Sequence, residues 1–250
     1  MEKNELISRM DDLAAQCQRR SVITHSHFLT PAEQHQISNI TFLPGTDGSS
    51  VLYGGTEESE RKILFFLPYY MTEDDLDCSE TISVLESRCR FGKPGHRDYL
   101  GSLMGLGIRR EFLGDIWMEE ETAYLFCMST IKETILNELK QVGHNTVTVR
   151  EISARELPDL HRQMRSERFT VMSPRLDAVV SGMFRLSRTE SAERIRQGLV
   201  QHNYQECVKT DAPVREGDVI SLRGRGKGVV AAFEGTTRRG RMFIEVKIYQ

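Results

Sequence analysis

The chain has 250 residues, enough for two or three small domains with cores of their own, and 39% hydrophobic with 28% charged residues is a globular composition that excludes general disorder. A net charge of −3 hides a segregation: from Arg175 onward there are 14 Lys plus Arg against 9 Asp plus Glu, and before it 19 against 27. The charged start MEKNELISRMDDLAAQ has no apolar signal core, and the most apolar run, residues 63–71, is short and broken by Pro68; neither an export signal nor a membrane span is expected, and a cytoplasmic protein is the expectation.

Residues 2–19 read as a helix with Leu6, Met10, Leu13 and Cys17 on one face. His25 and His27 form an HxH pair with no third ligand nearby, so they are expected on a surface loop rather than at a metal. Thr30-Pro31-Ala32-Glu33 is a capping box with Pro at the first helical position, opening a second helix that runs to about residue 38. Short strands are expected over 40–43, 51–53 and 63–67, the first two separated by the turn-rich stretch 44–50. Residues 1–78 thus form a small mixed region that the acidic stretch 72–77 closes. The five cysteines are scattered, odd in number and contain no CxxC pair, a pattern of reduced thiols.

From residue 79 to 156 the order becomes regular: a strand at 82–89, a helix at 96–104, strands at 113–118 and 122–128, a helix at 130–142 opened by Thr130 and Glu133, and a strand at 146–152. Strand, helix, strand, strand, helix, strand is the order of a ferredoxin-like (RRM-like) domain. RNA-recognition motifs stack bases on aromatics of their first and third strands. Here the first strand has none, and the third has Tyr124 and Phe126, which read as core or sheet-face residues. The glycine-rich stretch 95–110 holds Arg97, Arg109 and Arg110, a candidate secondary phosphate contact; it lacks GxGxxG and Walker spacing, and tight helix packing is the other reading of its glycines.

Residues 157–172 are polar and mixed in charge and read as a connector to a C-terminal domain over 173–250. There Ser173 and Pro174 suit the start of a helix carrying Leu176, Val179, Val180 and Met183 on one face; Arg185 and Leu186 make a tight corner. Ser187 and Glu190 box a second helix, Ala192 and Ile195 face inward, and Gly198 closes it. Strands are expected over 199–204 and 219–222, with Gly217 and Asp218 turning into the latter, and a terminal hairpin pairs 229–235 with 241–249; Arg238, Arg239 and Arg241 sit at its tip. Arg175, Arg185, Arg188, Arg194 and Arg196 lie on or beside the two helices, and Lys209, Arg223, Arg225 and Lys227 decorate the strand ends. A basic module on an acidic chain is the footprint of a polyanion.

The order Arg175-Leu176-Asp177, Ser187-Arg188, Ala192, Ile195, Gly198-Leu199-Val200, Asn203 and Gly217-Asp218-Val219-Ile220 resembles the S-four RNA-binding domain, the alpha-L motif. The resemblance implies that the two helices and the adjoining loop bind structured RNA by backbone and shape, through Arg175, Arg185, Ser187, Arg188, Arg194, Arg196, His202, Asn203, Lys209, Arg223, Arg225 and Lys227. One departure is that Tyr204 follows Asn203 where that family usually has Gly. GHRDYLGSLMGLGIRRE followed by GDI, upstream of such a domain and a terminal hairpin, resembles the YlmH family of bacterial RNA-binding proteins. That implies a cytoplasmic protein at the large ribosomal subunit, contacting ribosomal RNA or tRNA in the rescue or quality control of stalled translation, with a link to cell division.

S-four-like domains are often joined to catalytic partners, which makes an active site elsewhere in the chain an alternative to weigh. There is no glycine-rich doubly wound sheet for a methyl donor, and no Ser or Cys with the signature of an activated nucleophile. Asp98 with His96 at a helix start reads as a cap. The α+β chain is therefore expected to be a non-catalytic RNA-binding protein, monomeric, without cofactor or metal. Two alternatives stand beside it: an RNA-modifying enzyme with a cryptic site at Arg97, Asp98 and Tyr99, or an adaptor whose acidic first two domains recruit a protein partner to RNA.

Overall fold

The computed structural model describes residues 2–38, 49–162 and 164–249, so the strand expected over 40–43 lies outside the described residues. The chain divides into two units, Met1–Leu160 and His161–Gln250.

The first unit begins with α1 (Glu2–Arg20), β1 (Thr24–Leu29), α2 (Pro31–Ile37), β2 (Ser50–Tyr53) and β3 (Lys62–Phe66). The box at α2 forms as its spacing dictates: the Thr30 hydroxyl accepts the Glu33 N–H at 3.3 Å, and the Glu33 carboxylate accepts the Thr30 N–H at 2.6 Å. β3 is the middle strand of the order β1-β3-β2, and its period-two alternation serves two cores. Leu64 and Phe66 pack with Met10, Ala14, Cys17 and Ile37 of the helices. Ile63, Phe65 and Leu67 pack on a second sheet.

That second sheet comprises β4 (Ile82–Cys89), then, after α3 (His96–Gly105), β5 (Leu113–Glu119) and β6 (Thr122–Met128), and, after α4 (Lys132–Glu138), β7 (Gln141–Val142) and β8 (Asn145–Ile152). Its order is β5-β6-β4-β8-β7, every neighbour antiparallel. Leu85, Leu125 and Cys127 face Tyr99 and Leu103 of α3 and Ile135 of α4. Ile82, Val84, Phe126 and Met128 point the other way, onto Phe65 and its neighbours. Four layers result, helices, sheet, sheet and helices, and the boundary expected at residues 78 and 79 runs through a shared core. Phe126 is core: its ring occupies the space where a Cβ on Gly55, at φ +104°, would come within 2.3 Å. All five cysteines are free thiols, and burial pushes Cys127 up to about 12.

Three local expectations differ here. The HxH stretch is strand β1, not a surface loop. Its buried polar residues find backbone partners, Thr24 donating to Leu13 O at 2.7 Å and Ser26 accepting the Leu64 N–H at 2.9 Å, which masks a buried strand as polar sequence. His25 and His27 lie against Phe65 and Phe112. The helix expected over 130–142 spans only Lys132–Glu138, with no side-chain cap, because Gly143 at φ +59° lets Gln141–Val142 turn back at once and pair with β8. The glycines of α3 are not there for packing: a Cβ on Gly101 or Gly105 would meet no atom within 4 Å.

The second unit contains β9 (Met164–Val171), α5 (Leu176–Phe184), α6 (Arg188–Arg196), β10 (Val200–His202), β11 (Gln205–Glu206), β12 (Val219–Leu222), β13 (Gly226–Thr236) and β14 (Met242–Tyr249). The antiparallel sheet runs β11-β10-β12-β13-β14-β9. Leu176, Val179, Val180, Met183 and Ile195 of the helices pack on Val200, Ile220, Leu222, Val230, Ile244 and Val246 of its face. The expected connector thus contains a strand, β9, which pairs with β14 from Met164 to Val171. It reads as polar because it is an edge strand, and charged side chains on an edge keep other chains from adding to it.

Candidate nucleic-acid interface

α5 starts two residues later than the sequence suggests. Arg175 is the N-cap, without a side-chain cap bond, and the Leu176 and Asp177 N–H groups donate to Ala212 O and Thr210 O, both at 2.9 Å. The loop before β12 therefore caps the helix, which brings Lys209, beside Thr210, to the α5 N-terminus. At the other end Arg185 adopts φ +54°, a left-handed cap, and the chain turns directly into α6. Ser187 caps α6, its hydroxyl accepting the Glu190 N–H at 3.1 Å. The reciprocal half of the expected box gives way to an ion pair, because Glu190 takes Arg194 at 2.9 Å.

Two carboxylates organise the module. Asp177, buried at 7% exposure, holds Arg188 at 2.8 Å and Arg175 at 3.3 Å, and its carbonyl accepts the Ser191 hydroxyl at 2.6 Å. Asp218 accepts His202 Nε2 at 2.7 Å, Asn203 Nδ2 at 2.8 Å and the Arg215 N–H at 2.8 Å, while Asn203 Oδ1 takes the Val219 N–H at 2.9 Å. Burial pushes the Asp218 carboxyl up, but the bonds from Asn203, Arg215 and His202 outweigh it and hold the group below its ordinary range. His202 and Asn203 therefore pin the β10 turn to β12. Asn203 and Tyr204 both have positive φ, +50° and +64°, so Tyr204 occupies a position that glycine fills without strain.

The sequence-derived contacts sort accordingly. Arg175, Arg188, Arg194 and Arg185 are engaged by carboxylates, the last by Glu167 of β9 at 2.6 Å. The Lys227 ammonium lies 4.5 Å from the centre of the Tyr249 ring. Arg196, Lys209, Arg223 and Arg225 are exposed and, among the described residues, have no carboxylate partner. Helix spacing puts Arg188, Ala192 and Arg196 on one stripe of α6, while Arg194 points across the helix toward Glu190. The Arg223 N–H donates to Leu199 O at 2.9 Å, placing the β12 end beside the exit of α6 where Arg196 lies. The geometry is a basic ridge, part of it neutralised and part open.

The secondary phosphate site does not assemble. Arg110 turns inward, donating to Leu113 O at 2.7 Å and Gly114 O at 3.1 Å, and burial pulls its guanidinium down to about 10. Arg109 pairs with Glu111 at 2.9 Å and lies over Phe112, so only Arg97 of the three stays exposed without a described carboxylate. The residues of the cryptic-site alternative separate as well. Asp98 caps α3 by accepting the Gly95 N–H at 2.8 Å, and Tyr99 is core, 1% exposed, with its hydroxyl 3.1 Å from Ser87 Oγ.

The sequence reading missed the cluster of Glu86, Arg88 and Arg150 on neighbouring strands of the second sheet. Glu86 is 3% exposed and receives two N–H groups of Arg88, at 2.9 and 2.7 Å, as well as Arg150. The signal was a charged residue at an inward strand position flanked two residues on by an arginine.

Residues 77–156 match the family described as a putative RNA-binding domain in YlmH. The chain is 32% identical over 214 residues to the ribosome-associated protein quality control protein P2 of Bacillus subtilis (strain 168), covering 85% of this chain and 82% of that protein. A solved structure, the cell division protein ylmH from Streptococcus pneumoniae, is similar in fold, with a TM-score of 0.54 and 18% identity, over 62% of this chain and 94% of that one. Among the described residues no helix is long and apolar enough to cross a membrane, and no group of three or more His, Cys, Asp or Glu is placed to hold a metal.

Proposed function

The chain belongs to the YlmH family, and on that premise we propose that it is a non-catalytic, cytoplasmic RNA-binding protein of the large ribosomal subunit. In this reading it holds ribosomal RNA or tRNA during rescue or quality control of stalled translation. The name of the Bacillus subtilis relative supports the ribosomal setting. The order α5, corner, α6, β10, β12 supports an S-four-like module in residues 161–250. The antiparallel order β5-β6-β4-β8 supports a ferredoxin-like unit between residues 79 and 156.

The observation that carries the proposal is the open part of the basic ridge: Arg196 on α6, Arg223 hydrogen-bonded at its backbone to the α6 exit, and Lys209 at the α5 cap, all without described carboxylates. Guanidinium groups without an internal partner are the ones that exchange water for phosphate at least cost. The test is co-sedimentation of the full chain with ribosomes. Arg196→Glu with Arg223→Glu should abolish it, and sedimentation at the unmodified level would remove this surface from the reading.

A further inference from the structure

We propose that the uncovered half of the β4–β6 sheet face binds unpaired RNA nucleotides, with bases stacking on Phe91 and Tyr124 and phosphate held by Arg88 and Arg90. This rests on the RNA-binding reading above and adds to it a site and the strandedness of the RNA.

Strand register defines that face row by row. The row Phe126, Val84 and Ile152 is sealed by the first sheet. The next row runs Trp117, Tyr124, Glu86, Arg150, and the one beyond it Glu119, Thr122, Arg88, Thr148. Where the covering sheet ends, a cleft of about 1120 Å³ opens, lined by Arg88, Arg90, Phe91, Thr122, Tyr124 and Thr148 among others. A full RNA-recognition platform is therefore excluded by the layer above it, while the far half of the same face is accessible.

The chemistry of the cleft selects the ligand. Phe91 is 79% exposed just past the end of β4, with the Arg90 guanidinium 5.7 Å from its ring centre. A ring this exposed adds little to the core, and a flat apolar surface beside a cation suits a base and its phosphate. Arg90 has no described carboxylate partner. Arg88 gives Nε and one Nη to the buried Glu86, so its plane is fixed in advance and its other amino group is left for a ligand. Glu119, Glu120 and Glu121, at the turn between β5 and β6, line the cleft as well, the Glu121 carbonyl accepting the Cys89 N–H at 3.2 Å. A duplex laid here would hide its base faces from Phe91 and would bring two rows of phosphates to a cleft that also carries three carboxylates. A single strand offers its base faces to Phe91 and brings one row of phosphates, which Arg88 and Arg90 can meet.

The test uses the full chain carrying Arg196→Glu and Arg223→Glu, so that the basic ridge of the second unit does not contribute, and a fluorescently labelled ten-nucleotide RNA without self-complementarity. Adding Phe91→Ala or Arg90→Ala should weaken its binding at least about fivefold, the lower end of one base stack. Both side chains are exposed, so loss of folding does not confound the result. Absence of oligonucleotide binding in this background, or affinities within about twofold after either substitution, would overturn the site. Loss of ribosome association when Phe91→Ala is made alone in the otherwise unmodified chain, without loss of oligonucleotide binding, would also overturn it, because the cleft would then meet protein. The ridge is judged separately, by ribosome co-sedimentation, so either proposal can fail without the other.

Discussion

Arg188 Nη2 lies 2.8 Å from Asp177 Oδ2, so the first residue of α6 is tied to the first turn of α5 by a buried carboxylate. The same carboxylate takes Arg175, and the backbone carbonyl above it takes Ser191. One acid thus links the two helices and engages two of the arginines that composition would assign to RNA. A phosphate reaching Arg188 competes with an existing partner, whereas one reaching Arg196 competes only with water.

Replacing Asp177 with Asn should destabilise the protein by about 1–2 kcal/mol, the cost of weakening two charge-assisted hydrogen bonds to arginines that can rehydrate. The measurement is urea unfolding, where the midpoint should fall with the slope unchanged. An unmoved midpoint would show that the helix pair is held by its apolar face alone.

Arg194 and Arg196 should behave differently although they are two residues apart. Ribosome affinity against salt should lose roughly 0.7–0.9 of a unit of log–log slope in Arg196→Ala, the share of one phosphate contact. Arg194→Ala should change the slope much less, because Glu190 already holds that guanidinium at 2.9 Å. Equal losses from the two substitutions would contradict the ridge described here.

The depressed carboxyl of Asp218 makes stability depend on acid in one direction. Its folded value lies below the ordinary one, so its contribution is complete above about pH 4, the unfolded value, and disappears as pH falls through the folded value. Asp218→Asn should therefore cost about 1–2 kcal/mol at neutral pH, and the gap to the unmodified protein should close on the acid side. Denaturation midpoints across a pH series check this; a gap that stays constant into acid would mean that the carboxylate charge contributes nothing.

Tyr204→Gly should raise stability by about 0.5–1 kcal/mol. A left-handed conformation costs a residue with a Cβ roughly 1–2 kcal/mol, and the greater freedom of glycine in the unfolded chain returns part of that gain. Thermal unfolding is the check, and a lowered midpoint would assign the tyrosine ring a contact worth more than the strain at φ +64°.

Much of the fold was legible because local signals and packing agree. The Thr30 box, the apolar stripe of α1, the strands around Ile63 and Leu85, the corner at Arg185 and the terminal hairpin all follow from spacing alone. The failures share one cause. β1 and β9 carry polar residues whose partners are distant in sequence, Ser26 with Leu64 and the whole of β9 with β14, so neither strand shows the apolar alternation that announces a strand. The helix expected over 130–142 failed for a related reason, since Val142 finds burial by pairing with Asn145 rather than by continuing the helix.

By itself the sequence determined that the cationic charge gathers in the last third of the chain and that two short helices carry much of it, because composition and helical period are properties of neighbours along the chain. Only the tertiary structure decided which cations are available. Arg188 is met by Asp177, Arg185 by Glu167 and Arg110 by main-chain carbonyls, whereas Arg196 and Arg223 have no described carboxylate. Whether a charge is free depends on what lies within a few ångströms in space, and folding brings there residues that sequence order keeps apart.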